Sequence, residues 1–178
     1  ILPYLKHQGY RDIAGVMISH NDNDHAGGLQ HLREKIAIDN VIANDVSLMP
    51  NSRCVSGQSF IWQGLSFEML SPMQANGDKN DDSCVLTISD GWHRVLLPGD
   101  ISVKQERRLL SLDGMRNKLA SDLLIAPHHG SKSSSSRRFL QAVAPRYAVF
   151  SSGYLNQWNM PSAEILSRYR AENIETFN

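Results

Sequence analysis

The sequence contains no long hydrophobic run and no excess of charge of either sign. No stretch approaches the roughly 18 consecutive apolar residues that a membrane-spanning helix needs, so no transmembrane segment is predicted. Lys and Arg together number 18, as do Asp and Glu, and the formal net charge is zero. A chain of this charge has no broad positive field for nucleic acid. A polyanion would have to bind at a local basic patch or through a bound metal.

Cysteine is scarce as well, with Cys54 and Cys84 the only two in the chain. They could pair in an oxidising compartment or remain as free buried thiols, and the sequence favours neither. The 178 residues, 41% of them hydrophobic, suit a single globular domain over residues 1–178. The chain starts abruptly and stops within what reads as the beginning of a strand. We therefore expect a domain cut from a longer polypeptide.

Hydrophobic periodicity predicts strands and helices along the whole chain, together with two hairpins. The predicted strands lie at 12–19, 40–44, 121–131 and 146–153, the hairpins at 58–72 and 83–100, and the helices at 1–10, 27–36, 101–112, 135–143 and from 161 onward. The hairpins turn near Gly64 and at Asp90-Gly91, and Pro161 is placed in the first turn of the last helix. Hairpins together with strand–helix units predict an α/β chain of the α+β type with a mixed sheet.

The segment "SHNDNDHAGG" at residues 19–28 is the first candidate for a functional site. In an extended chain, side chains at every second position point the same way, so His20, Asp22 and Asp24 can converge while His25 approaches from beside them. Imidazole and carboxylate are ligands of divalent cations. The alternative is a polar turn that caps a helix, with Asp24 as the N-cap. A turn explains Asn and Asp well but the two histidines poorly, so metal binding is favoured.

Two further polar groups follow predicted strands at their C-terminal ends. Asp100 comes after an apolar run and is either the N-cap of the next helix or a carboxylate that bridges two cations. His128 and His129 follow another strand, and "SKSSSSRR" follows them. Because a helix N-terminus favours anions, Ser131 and Lys132 are candidates for holding a phosphate, although a solvated loop is the alternative.

These motifs resemble the phosphodiesterase-like branch of the metallo-β-lactamase superfamily. More narrowly, "LPYLKHQGY", "ISHNDNDHAGGL", "NDDSCVL", "LLPGDI", "LLIAPHHGSKSSSS" and "SSGYLNQWN" resemble, in that order, the C-terminal domain of the ComEC family of competence proteins. The resemblance implies an αββα sandwich of mixed β-sheets flanked by helices. It also implies hydrolysis of DNA, namely of the strand that is not transported during uptake, with two divalent ions, Mn²⁺ or Zn²⁺, that activate water for attack on phosphorus.

The resemblance also implies a role for each motif residue. His20, Asp22 and one of His128 and His129 would hold the first metal, Asp24 and His25 the second, and Asp100 would bridge them. Beyond these ligand roles, we expect the histidine of the pair that does not ligate, His129 or His128, to protonate the leaving 3′ oxygen. Ser131 and Lys132 would hold the flanking phosphate of single-stranded DNA. Independently of the resemblance, the rings of Trp62, Trp92 and Trp158 could stack on bases. Packing in a hairpin or in the core is the favoured use, with Trp158, which lies in the last motif beside the proposed site, as the exception.

The chain departs from the family pattern at three places. Asp22 stands where the wider superfamily has a histidine, which shifts the preference from Zn²⁺ towards Mn²⁺. Relatives carry a histidine before the proline of the last motif, whereas this chain has Asn159, a weak metal ligand, followed by Met160, so the second metal is expected to be loosely held and activity to be weakened. The first strands of the fold, which precede "LPYL" in the family, are not in this sequence.

The family further implies a location and a partner. The domain would be a soluble part of an inner-membrane protein, would face the periplasmic or extracytoplasmic side, and would adjoin the membrane-embedded channel portion of the same polypeptide. Two other functions stay open: a non-catalytic, degenerate module that guides DNA or supports the channel, and a small-molecule metallohydrolase of the same superfamily.

Overall fold

The computed structural model describes residues 1–75 and 77–178. The helices are α1 (Leu2–His7), α2 (Asn23–Ala26), α3 (Leu29–Lys35), α4 (Val103–Leu110), α5 (Met115–Leu119), α6 (Arg137–Val143) and α7 (Ala163–Ala171). The strands are β1 (Asp12–Ile13), β2 (Val16–Met17), β3 (Ala37–Ile38), β4 (Val41–Ile42), β5 (Ser59–Trp62), β6 (Leu65–Ser71), β7 (Val85–Ser89), β8 (Arg94–Leu97), β9 (Leu123–Ile125), β10 (Tyr147–Val149) and β11 (Glu175–Phe177). None of the helices in the described part has the length and apolar character to cross a bilayer.

Seven strands form the main sheet, in the order β11-β10-β9-β8-β7-β6-β5. The strands from β5 to β8 pair antiparallel, and those from β8 to β11 pair parallel. The sheet is therefore mixed, as the combination of hairpins and strand–helix units predicts. Both predicted hairpins are present, as β5–β6 around Gly64 and β7–β8 around Asp90-Gly91.

The prediction of one continuous strand over 12–19 is wrong. The segment forms the two short strands β1 and β2, which pair in parallel with β3 and β4, respectively. Both partners bend at the same level, at residues 14–15 and 39–40, so the ladder is interrupted there. The hydrogen bond from Ile18 N–H to the Ile42 carbonyl still carries the chain in extended form up to the polar segment.

Alternate strand residues build a core on each face of the main sheet. On one face, Leu70, Leu96 and Leu124 pack with the buried sides of α4 to α7. On the other face, side chains of β6, β7 and β8 pack against Met17 and Ile42 of the small strands. A third cluster joins those small strands to α2 and α3. The layers are therefore helices, sheet, small strands and helices, which is the predicted αββα arrangement.

Helix starts differ from the predictions at two capping positions. Helix α4 is capped by Ser102, whose hydroxyl accepts from Lys104 N–H, so Asp100 is not its N-cap. Helix α7 is capped by Ser162, which places Pro161 before the helix rather than in its first turn. In both cases a serine hydroxyl satisfies a free N–H group that the first turn leaves unpaired.

Cys54 and Cys84 form a disulfide with a Cα–Cα distance of 5.9 Å. Both residues are buried in the core cluster between the main sheet and the small strands. The bond joins the segment before β5 to the start of β7, and it answers the question that the sequence left open.

Candidate metal centre

Asp100 is the centre of the site. It follows β8 and is buried, with its carboxylate oxygens close to four imidazoles. The distances from Asp100 to the Nε2 atoms are 3.3 Å for His25, 3.6 Å for His129 and 3.8 Å for both His20 and His128. His20 and His25 come from the segment after β2, and His128 and His129 come from the turn after β9. The three polar groups that follow predicted strands thus converge, as the sequence predicts.

Asp22 and Asp24 lie at the rim of this centre. Asp22 Oδ2 is 3.7 Å from His20 Nε2, and Asp24 Oδ2 is 3.2 Å from His129 Nε2. Asp22 is at the N-cap position of α2, and Asp24 lies in its first turn, so the alternative that made Asp24 the N-cap is wrong. Neither side chain caps the helix: the Asp22 side chain makes no cap hydrogen bond.

Two groups of side chains, which overlap at His25, are each close enough to hold a cation. One group is His20, His25 and Asp100, and the other is Asp24, His25 and His129, with all ligand atoms of a group within 4.8 Å of one another. His129 therefore groups with Asp24 and His25, which the family resemblance assigns to the second metal, rather than with His20. His128 and Asp22 adjoin the centre without being part of either group.

Serine groups fix how the imidazoles face the centre. Ser19 Oγ is 3.1 Å from Nδ1 of both His20 and His25, and Ser133 Oγ is 3.1 Å from His128 Nδ1. The Ser151 carbonyl accepts a hydrogen bond from His129 Nδ1 at 2.9 Å. Because a carbonyl can only accept, this contact assigns the His129 proton to Nδ1 and directs the Nε2 lone pair at the centre.

The donor set fits a divalent cation. His20 Nε2 is buried and has no hydrogen-bond partner among the described residues, and such an atom is costly unless something else binds it. The Nε2 atoms of His25 and His129 are 3.1 Å apart. Two nitrogens that each lie about 2.0–2.1 Å from one ion are separated by about 3.0–3.4 Å, so this spacing is that of two ligands to a shared cation.

Electrostatics keep the central carboxylate ionised. Burial raises the pKa of Asp100, but its contact with His25 and the neighbouring His129 and His128 outweigh burial and lower the pKa. Burial alone would lower the pKa of His25, but the hydrogen bond and the negative charge of Asp100 outweigh burial, so the pKa of His25 is raised. For His20, burial and the nearby His25 lower the pKa, which favours the neutral imidazole that binds metal.

An unusual backbone path presents the histidine pair. His128, His129 and Gly130 all have positive φ, at 50°, 53° and 84°. A Cβ on Gly130 would lie 2.6 Å from Pro161 Cβ and 2.8 Å from the Phe150 ring. Left-handed backbone at two consecutive non-glycine residues is strained, and strain of this kind concentrates at functional sites.

Ser131 and Lys132 are placed differently from the prediction. Lys132 Nζ lies 3.9 Å from Glu164 on α7, and Ser131 Oγ contacts Ser133 Oγ. Neither side chain is among those that line the cavity in front of the metal centre. The residue of this loop that reaches the site is Ser133, through His128. Helix α6 begins only at Arg137, five residues beyond Lys132.

The segment "NDDS" at residues 80–83, to which the sequence assigns no role in the site, supports the site through Ser83 and Asp81. Ser83 Oγ accepts from Asp100 N–H at 3.2 Å and lies 3.4 Å from His20 Nδ1. Asp81 accepts from Ser102 N–H at the start of α4. The contacts of Ser83 and Ser151 were missed because they join distant parts of the chain, whereas Ser19 contacts its neighbour His20 and His25, six residues further on. The only available signal was their position beside ligands or strand ends.

A cavity of about 460 Å³ opens in front of the centre. Its walls include the side chains Asp22, Asp24, Asp100, His128, His129, Asn156, Trp158 and Met160. Asn159, the residue proposed as a weak ligand, is exposed and is not among the lining residues. The loop between β10 and α7, here called the late loop, therefore presents Asn156, Trp158 and Met160 to the cavity in place of the expected ligand.

Similar proteins agree in sequence and in fold. No protein-family model matches the chain. It is 38% identical over 176 residues to Competence protein ComA of Neisseria gonorrhoeae, covering 98% of this chain and 25% of that protein. It is 36% identical over 172 residues to Recombination protein 2 of Haemophilus influenzae, covering 94% of this chain and 21% of that protein. The chain thus spans about a quarter of the length of these relatives.

Among solved structures, the metallo-β-lactamase fold protein YhfI of Bacillus subtilis superposes with a TM-score of 0.58 at 13% identity. The superposition covers 98% of this chain and 78% of YhfI. A structure from Parabacteroides distasonis, described as a metal-dependent hydrolase, gives a TM-score of 0.63 at 13% identity, with 99% and 80% of the two chains covered. Identities this low establish the fold alone, and that fold is the predicted one.

Proposed function

Since this chain has the metallo-β-lactamase fold and is related over nearly its whole length to the ComEC family of competence proteins, we propose that it is a metal-dependent phosphodiesterase domain that hydrolyses DNA. The observation that carries the proposal is the centre around Asp100. Four imidazole Nε2 atoms face one buried carboxylate, and one of them, on His20, has no hydrogen-bond partner in the part of the chain that the structure describes.

The two groups share His25, and its single Nε2 lone pair can bind one cation only. One group would therefore hold a cation together with His25, and the remaining side chains of the other group would hold a second, with the Asp100 carboxylate close to both His25 and His129. Divalent cations bound there would lower the pKa of a water molecule and offset the charge that develops on the phosphate oxygens. The carboxylates of Asp22 and Asp24 favour Mn²⁺ over Zn²⁺.

His128 is the candidate for the general acid. Its Nε2 atom adjoins Asp100 but belongs to neither group, and Ser133 holds its Nδ1. An imidazolium there would donate a proton to the leaving 3′ oxygen. His129, whose Nδ1 proton is given to the Ser151 carbonyl, serves as a ligand.

The biological setting is part of the same proposal. The names of the relatives support a role in competence, in which the domain would degrade the strand that is not transported. The Cys54–Cys84 disulfide supports an oxidising compartment, the outer side of the inner membrane. The partners would be single-stranded DNA and the membrane-embedded portion of the same polypeptide.

The test is cleavage of end-labelled single-stranded DNA with Mn²⁺, Zn²⁺ or EDTA, using the wild type, Asp100→Ala and His129→Ala. Exposed residues of the same types supply matched controls, namely Asp113→Ala and His31→Ala. We expect Mn²⁺-dependent cleavage that both site variants abolish and both controls retain. A folded wild type that binds Mn²⁺, as measured by elemental analysis after gel filtration, but cleaves no DNA would refute the proposal.

One observation favours a second candidate, a non-catalytic module that guides DNA. The residues that the late loop presents to the cavity, among them Asn156, Trp158 and Met160, carry no ionisable side chain. Binding of labelled DNA without cleavage in any metal would select this alternative.

A further inference from the structure

We infer that Trp158 is a specificity residue that stacks on an unpaired nucleobase of the strand whose phosphate is at the centre. The inference rests on the proposed function and deepens it, because it states which form of DNA the site accepts. It is carried by the position of Trp158, by its support and by the character of the surface around it.

Trp158 lies on the wall of the cavity that holds the ligands. It lines the same 460 Å³ space as Asp24, Asp100 and His129, yet 68% of its surface is exposed to solvent. Burying an aromatic ring against other apolar groups is strongly favourable, so a large exposed ring beside an ionic centre is a surface suited to a ligand. Met160 adds a second apolar side chain to the same wall.

The ring is presented by a supported turn. The Asn156 side-chain amide donates to the carbonyls of Gly153 and Met160, at 2.9 and 2.6 Å, and its oxygen accepts from Met160 N–H at 3.0 Å. These three hydrogen bonds close the loop around Trp158 from both sides. The exposure of the ring therefore comes from a fixed backbone, and little ordering is needed when a flat ligand binds.

The chemistry of the cavity selects the ligand. The centre acts on a phosphate, and the group attached to a DNA phosphate within reach of an adjacent apolar wall is a sugar with its base. Every base has a π face, and stacking one base on an aromatic side chain changes affinity by roughly 5- to 100-fold. In a duplex these faces are covered by neighbouring bases, so stacking requires an unpaired strand.

Exposure alone does not single out Trp158. Trp92 is 90% exposed, but it lies in the turn between β7 and β8 and is not among the residues that line the cavity. Trp92 is therefore the matched control, because it has the same side chain and similar exposure at another place.

The first experiment compares kcat/KM in Mn²⁺ for two labelled oligonucleotides, one with thymine throughout and one with abasic sugars on both sides of a single scissile phosphate. For Trp158→Ala we expect a loss of roughly 5- to 100-fold on the thymine substrate and less than twofold on the abasic one. Trp158→Phe should recover much of the loss, and Trp92→Ala should match the wild type. The preference of the wild type for single-stranded over duplex DNA should also fall in Trp158→Ala.

A second readout is independent of cleavage. The chain has three tryptophans, so the double variant Trp62→Phe/Trp92→Phe leaves Trp158 as the only one. With Ca²⁺ in place of Mn²⁺, the thymine oligonucleotide should quench its fluorescence and the abasic one should not. Equal quenching by both, or equal kinetic losses of Trp158→Ala on both substrates, would overturn the inference while leaving the nuclease proposal intact. A wild type that neither cleaves nor binds either oligonucleotide would overturn both.

Discussion

Replacing Gly99 with alanine tests how tightly the ligand support is built. Gly99 has a φ of +60°, and a Cβ there would lie 2.8 Å from both Cβ and Oγ of Ser83 and 3.0 Å from Ser19 Cβ. Those serines hold the backbone of Asp100 and the Nδ1 atoms of His20 and His25. The added methyl group therefore presses on the residues that orient three ligands.

The expected loss of stability follows from two physical effects. A positive φ costs a residue with a Cβ about 1–2 kcal/mol. Overpacking at 2.8 Å against Ser83, which is buried and whose Cβ is fixed to the backbone, costs about 1–3 kcal/mol more. We expect Gly99→Ala to lower the free energy of unfolding by about 2–5 kcal/mol and to weaken Mn²⁺ binding.

Urea unfolding followed by circular dichroism measures the change, with and without Mn²⁺. Gly114→Ala is the control, because Gly114 has a similar φ of +72° but nothing within 4 Å of the added Cβ. It should lose only the backbone part, about 1–2 kcal/mol. If Gly99→Ala loses no more than Gly114→Ala and keeps its Mn²⁺ affinity, the packing described around Asp100 is wrong.

Three further outcomes are expected. Buried Glu106 accepts from the N–H groups of Ser135 and Ser136, so Glu106→Gln should lose about 1–3 kcal/mol. Burial raises the pKa of Glu106 above its ordinary value of 4.5. The stability linked to this carboxyl is therefore greatest below pH 4.5 and declines as the pH rises through the pKa of the folded state. Urea unfolding curves from about pH 4 to 8 should show that decline in the wild type and not in Glu106→Gln. Cys54→Ala/Cys84→Ala should cost about 2–4 kcal/mol, and dithiothreitol should lower the Tm of the wild type but not of this variant. Mn²⁺ at 100 times its Kd should stabilise the wild type by about 2.7 kcal/mol and Asp100→Ala not at all, as thermal unfolding with and without EDTA would reveal.

Local signals explain which parts of the fold the sequence predicts. The β7–β8 turn depends on Asp90, which accepts from the N–H groups of Trp92 and His93; these bonds lower the pKa of Asp90 to about 2. Such a turn is determined within four residues, and both hairpins were predicted correctly. The break between β1 and β2 depends instead on a bend shared with a partner strand more than twenty residues away, which hydrophobic periodicity along one segment does not report.

In the site, too, local signals predict some residues, whereas others depend on distant parts of the chain. His20, His25, Asp100 and His129 follow apolar runs, and the rule that strand ends converge places them together. Lys132 also follows such a run, but α7 supplies Glu164 as its partner, and the side chain lies away from the cavity. The grouping of His129 with Asp24 depends on the positive φ values after β9, which nothing in the residue order "PHHG" determines.

The residues of the metal centre come from two layers that differ in how many backbone hydrogen bonds hold them. His20 and His25 both follow β2, a strand only two residues long, whereas Asp100 and His129 follow β8 and β9, inside a seven-stranded sheet. Local opening should begin where few backbone hydrogen bonds must break at once. Amide hydrogens around β2 and α2 should therefore exchange with deuterium sooner than those of β8 and β9. A cation that binds both layers would slow exchange mainly in the first, acting as a cross-link whose strength is set by pH and chelators.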